Sequence, residues 1–353
     1  MESIDRYTSD KLHILSFVFI VMIVYVHADF KDIPGEIHDM PVNLFLQKWI
    51  GGFFYAVRVP FFFMKSGFFF FYSVKGLQSI WLKMRKRIRT LLVPYIIAAL
   101  LFVGLMYVLM SIPFVSEKMN SSTLFNTNNT GVLSWLCAVF YDAGNTVPLG
   151  FHLWFLRDLI MLTLLAPIFF YLRKWYYGIP LIASLFILSF ITSISLVTSA
   201  FWFMFGTIAM QWLMRLRCQK AFLLLGVYVV FRLFMTAVEW NGWKTLNIPI
   251  SLMGIAVVWV VYDHICKKTF KLSNSKWWTI CVNYSFFIYL FHEPLLNIVR
   301  KGMLIPMGKS SLTFACSYLI SPLITVALLI FIGSIMQRFC PRILALVTGK
   351  RSK

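Results

Sequence analysis

Residues 21–30 read VMIVYVHADF, where one histidine, His27, closes an apolar run just before Asp29. Imidazole is the side chain best suited to moving a proton near neutral pH. A histidine at the edge of an oily segment is therefore a candidate general base or acyl acceptor. Two plainer readings stand beside that one. The ring could simply be hydrogen-bonded to backbone or carboxylate at a membrane interface. Val26-His27-Ala28 also obeys the small-x-small rule of a signal-peptide cleavage site, although further apolar segments follow directly. His152, in PLGFHLWFLRD, stands where another apolar segment begins and is the candidate partner. His292, in IYLFHEPLL, is followed by Glu293 and Pro294. Neighbouring side chains on a helix diverge, so a structural polar pair at a proline kink is expected there.

Cations inside apolar segments are the other chemical signal. Arg58 and Lys65 lie two helical turns apart, hence on one face, and Arg157 and Arg232 are also embedded. Each is costly in hydrocarbon unless it faces the protein interior or a wet cavity, and Arg157 has Asp158 beside it. A face carrying both Arg58 and Lys65 implies a polar passage or a site for an anion. The run KMRKRIRTLLVPY (83–95) adds Lys86, Arg87 and Arg89. It reads as topogenic charge against anionic lipid, or as a site for a multiply phosphorylated ligand.

The elements that must hold these residues follow from composition. The 353 residues are 60% hydrophobic and 13% charged, with mean hydropathy +0.79. Soluble chains run at about half apolar and about a quarter charged. The expected class is an all-α, polytopic membrane bundle, forming one integral membrane domain over 1–353. Ten segments could each cross about 30 Å of hydrocarbon as helices. They lie near 12–28, 49–72, 90–112, 153–172, 179–197, 199–214, 220–238, 247–266, 279–300 and 312–336, with a possible half-helix at 131–141 inside the polar stretch 113–150. With the N-terminus inside, 22 Lys and Arg fall on the cytoplasmic side and seven outside, so both termini are expected in the cytoplasm. That topology accounts for the net charge of +20 without nucleic acid. The six cysteines show no metal-ligand spacing, and no metal or tightly bound cofactor is expected. No Walker loop, GxGxxG, HExxH or GxSxG is present.

Taken in order, VYVHAD, VPFFFMKSGFFFF, KRIRTLLVPY, HLWFLRDLIMLTLLAPI and SFFIYLFHEPLL resemble the acyltransferase family 3 membrane proteins, over about residues 10–335. That family includes O-acetyltransferases of bacterial cell-surface polysaccharides. The resemblance implies acetyl-CoA as cytoplasmic acyl donor and a glycan hydroxyl, or that of a lipid-linked precursor, as acceptor, in a bacterial plasma membrane. It maps the essential first-span histidine to His27. It maps the basic motif to Lys86, Arg87 and Arg89, and the Ser-Gly pair to Ser66 and Gly67, with Arg58 upstream. One position departs: the family commonly has Arg or Lys eleven residues before the histidine, and here Ser16 stands there.

On this reading His27 lies about 22 Å from the cytoplasmic end of its span. CoA phosphates would sit on the basic cluster, with the pantetheine arm along the Arg58 and Lys65 face. His27 would act as base or acyl carrier, oriented by His152 or, less favourably placed, Asp29. The rival class is a transporter or flippase of a lipid-linked glycan, using the same cations without acyl transfer. A succinyl donor, or a peptidoglycan or lipid sugar as acceptor, also stays open.

Overall fold

The computed structural model describes residues 4–30, 40–72, 74–113, 139–140, 148, 150–238, 243–266, 270–308 and 310–349. Among them all regular structure is helical. An apolar segment in hydrocarbon must satisfy its own backbone groups, which a helix does within one segment. In chain order the helices are α1 (Arg6–His27), α2 (Pro41–Phe71), α3 (Leu77–Met110), α4 (Trp154–Leu164), α5 (Ala166–Leu172) and α6 (Trp175–Ile191). They continue with α7 (Ser195–Arg215), α8 (Ala221–Ala237), α9 (Trp243–Ile265), α10 (Lys276–Met307), α11 (Ser311–Phe339) and α12 (Pro341–Val347). Asp5 starts α1 by accepting the Thr8 amide on Oδ1 at 2.8 Å, and the Ser275 hydroxyl accepts the Trp278 amide at the start of α10.

The membrane class expected from composition holds, but the count of ten spans is not confirmed. Six of the described helices, or parts of them, are long and apolar enough to cross. A seventh crossing is available if Phe151–Leu164 and Ala166–Leu172, which meet at 60°, form one broken span. The expected spans at 179–197 and 220–238 correspond to α6 and α8, each of 17 residues. The one near 279–300 is the middle of α10, whose helical dihedrals break at Glu293. The half-helix proposed at 131–141 lies almost wholly outside the described residues, as does most of the loop 113–150.

Contacts divide the chain into two units, Met1–Ser73 with Trp202–Ile335, and Val74–Phe201 with Met336–Lys353. In the first unit α1 packs on α2 and α10, while α2 also meets α8 and α9. Two glycines bring α2 against α7. A methyl group added at Gly67 would overlap the Phe203 carbonyl, and one at Gly206 would overlap the Met64 backbone. Small residues are what allow such approach between membrane helices. Gly67→Ala is expected to cost at least about 1–3 kcal/mol through overpacking, seen as a lower melting temperature and reduced accumulation in membranes. An unchanged melt would show that the two helices can separate freely.

Lys11, near the start of α1, is not a surface charge. The residue is only 1% exposed, and its Nζ lies 2.7 Å from Asp263 Oδ1 and 3.7 Å above the Trp259 ring. The Tyr7 hydroxyl donates to the same carboxylate oxygen at 2.8 Å. Lys11 therefore clamps α1 to α9, with charge pairing and ring contact together offsetting its desolvation. In the second unit α3 packs on α4, α5 and α12.

Candidate functional site

His27 is the last residue of α1, and its ring centroid lies 5.2 Å from that of His292, with the planes tilted by 39°. The sequence reading paired His292 with Glu293; tertiary packing pairs it with His27 instead. His292 is fully buried at 0% exposure, while His27 is half-buried. The ring of His292 is fixed by its own helix. Its Nδ1 lies 2.8 Å from the Tyr289 carbonyl and 3.3 Å from that of Ile288. Pro294 drives the preceding residue out of helical dihedrals, and Glu293 adopts φ −101°, ψ 135°. Arg58, 4% exposed on α2, is close enough to act electrostatically on His292.

Below that break α10 holds the chain that follows His27. Arg300, 5% exposed, donates to the Asp29 carbonyl and, at 2.5 Å, to Asn297 Oδ1. Asn297 in turn donates to Glu293 Oε2 at 2.7 Å. The Arg300 guanidinium also lies 4.8 Å from the Phe30 ring centre. One stretch of α10, from His292 to Arg300, thus contacts the His27 ring and fixes the backbone two residues beyond it. The Asp29 backbone carbonyl accepts this bond; a carboxylate two residues from His27 on a helix would diverge from it. Arg232 of α8 is also buried, and its guanidinium lies over Gly52 of α2, where any side chain would collide with it.

Lys65 and Arg58 do share α2, but they meet different partners. Lys65 Nζ donates to the Ser16 hydroxyl at 2.6 Å, and the Leu12 carbonyl lies at 3.4 Å. An ammonium from α2 thus reaches the α1 position at which the family commonly carries a cation. Ser66 is half-buried on α2, beside the close-packed Gly67.

The remaining candidates lie in the second unit. His152 sits in a short 3-10 turn, Phe151–Leu153, buried against Phe102 of α3 at 5.4 Å between ring centres. Arg157 is 1% exposed and heavily engaged: Nε and Nη2 donate to Asp158 Oδ1 at 3.0 and 2.8 Å, Nη2 to Ser195 Oγ at 3.0 Å, and Nη1 to the Phe140 carbonyl at 3.3 Å. Ser199 Oγ donates to the other Asp158 oxygen at 2.9 Å. Such a network is a structural knot, as the adjacent Asp158 had suggested. On α3, Lys86 and Arg89 are exposed and Arg87 is half-buried. Arg89 joins Trp81, Met84, Arg85 and Ile88 in lining a surface hollow.

His292, Arg300 and Lys11 are the polar residues whose roles sequence reasoning missed. For His292 a signal existed: in the expected ten-span topology the first and ninth spans run in the same direction, which would put His292, about 20 Å along its span, close to the depth of His27. Arg300 stands at the end of the expected span 279–300, where its charge alone gives no sign of a partner.

The chain is 25% identical over 364 residues to the "Succinoglycan biosynthesis protein ExoH" of Rhizobium meliloti (strain 1021), covering 99% of this chain and 94% of that protein. No solved structure matches the chain significantly. The sequence model of the acyltransferase domain family (Acyl_transf_3) matches residues 10–335, so His27, Arg58 and His292 all lie within it, and the chain belongs to that family of acyltransferases.

Proposed function

We propose that this multi-pass membrane acyltransferase moves a short acyl group, acetyl being the expected one, from cytoplasmic acyl-CoA to a hydroxyl of a cell-surface glycan or its lipid-linked precursor. The plasma membrane of a bacterium is the proposed location, with both termini in the cytoplasm. The observation that carries this reading is the His27 ring at the end of α1, paired with His292 and with the Arg58 charge close by. The relative's name refers to biosynthesis of succinoglycan, which supports a polysaccharide acceptor. A transporter without acyl transfer would not account for membership in an acyltransferase family.

The proposed chemistry balances with groups of this chain. His27 removes the proton of the acceptor hydroxyl as its oxygen attacks the thioester carbonyl. A new C–O bond forms, the C–S bond breaks, and the proton passes from His27 to the departing thiolate, leaving CoA as free thiol. Arg58 is the group proposed to stabilise negative charge developing on the carbonyl oxygen. Lys86, Arg87 and Arg89 are proposed to bind the CoA phosphates. Lys65, Ser66 and Arg157 are left as positioning residues of their helices, and His152 as a second-unit residue with no step of its own.

The test is direct. Membranes from cells making the glycan are incubated with radiolabelled acetyl-CoA or succinyl-CoA, and label in purified glycan is counted. Transfer from one donor above the level of gene-deleted membranes supports the reading. Glycan that reaches the surface normally, with no label from either donor, overturns it.

A further inference from the structure

We propose that His292 is a positioning residue that selects which nitrogen of His27 acts as the base. The inference rests on the acyl-transfer reading and deepens it. A carbonyl oxygen only accepts hydrogen bonds, so a ring nitrogen 2.8 Å from the Tyr289 carbonyl carries a proton. The Ile288 carbonyl at 3.3 Å from the same Nδ1 strengthens the assignment. In the neutral ring the lone pair then belongs to Nε2, and what His292 offers a neighbour is an acceptor.

The neighbour is His27. A hydrogen bond of about 3 Å between two imidazole nitrogens, plus the two ring radii, corresponds to about 5 Å between centroids. At 5.2 Å between centroids the two rings are near enough for that bond, which forms once His27 turns a nitrogen edge toward Nε2 of His292, and the 39° tilt is compatible with it. Toward an acceptor His27 can only present N–H, so its other nitrogen is left with the lone pair that the substrate hydroxyl needs. When His27 takes up the proton, its N–H toward His292 is kept, and the ring does not have to turn during the reaction. Other groups help to set this frame: Arg58 of α2 acts on His292, and Arg300 holds the Asp29 carbonyl just past His27. The logic is that of any catalytic base whose tautomer is fixed from behind, and loss of such a partner costs up to about 10⁴-fold.

Two substitutions separate this role from a packing role. His292→Asn can keep a donor to the Tyr289 carbonyl but has nothing at the Nε2 position. His292→Gln places an amide oxygen near the Nε2 position but gives up the Nδ1 bond. Full-length variants are assayed in membranes with radiolabelled acetyl-CoA, or succinyl-CoA if that is the donor used by the unaltered protein. The expectation is that His292→Asn lowers kcat about 10²-fold with KM for the acyl-CoA within about 2-fold, while His292→Gln stays within about 10-fold of the unaltered protein. If the ring only ties down its own helix, the order reverses and His292→Asn is the active variant, which overturns the proposal. Should His292→Asn fail to accumulate, His292→Gln decides: more than about a tenth of normal transfer supports the role, and less overturns it. Failure of the underlying reading would look different, with His27→Ala itself still active.

Discussion

Membranes carrying His27→Ala are expected to transfer acyl groups about 10²–10⁴-fold more slowly than those carrying the unaltered protein. The substitution removes the group that takes the hydroxyl proton in the proposed reaction. It should leave folding nearly intact. His27 is the final residue of its helix, alanine is the best helix former, and the ring is half-buried rather than enclosed. The packing of α1 against α2 and α10 depends on fully buried residues such as Phe19, Ile23 and Val24, and on the Lys11 clamp to Asp263. The measurement is label incorporated into glycan per unit of immunodetected protein, alongside a melting curve in detergent. Normal transfer by a stable variant would remove His27 from the chemistry altogether.

The largest stability effect is expected at Asp158. Removing one member of a buried ion pair leaves the other charged and unpaired, at a cost of about 3–5 kcal/mol. Asp158→Ala would do this to Arg157 while also taking the acceptor from Ser199. The predicted result is a large fall in melting temperature and in the amount of protein recovered. Replacing both partners with apolar residues, as in Arg157→Met with Asp158→Leu, is expected to recover much of that loss, because no buried charge remains. A double variant as unstable as the single one would mean that Arg157 is held by Ser195 and the Phe140 carbonyl more than by the carboxylate. Glycan transfer by the recovered double variant would further separate a structural Arg157 from one that binds substrate.

Much of this was written along the chain itself. The apolar share, the scarcity of charge and the length of each apolar run fix a helical membrane protein, because hydrocarbon leaves the backbone few alternatives. Rise per residue and the end of the apolar run put His27 at the far end of the first helix, where the structure has it. Periodicity puts Arg58 and Lys65 on one face of α2, and the adjacency of Arg157 and Asp158 foretold their pairing. The order of short motifs along the chain carried the family. The number of crossings was less legible, since hydropathy does not register a 60° bend after Leu164 or a break at Glu293.

What only the tertiary structure decided is which helices meet. Hydropathy and periodicity are properties of one segment, and they say nothing about which other segment its polar face will touch. His27 belongs with His292, Lys11 with Asp263, and Lys65 with Ser16, each pair drawn from two different helices. Buried polar groups must find partners, and the packing of helices through glycines such as Gly67 and Gly206 determines which ones are in reach. The sequence therefore determined the helices and the polar residues they carry, and packing between helices chose the pairs.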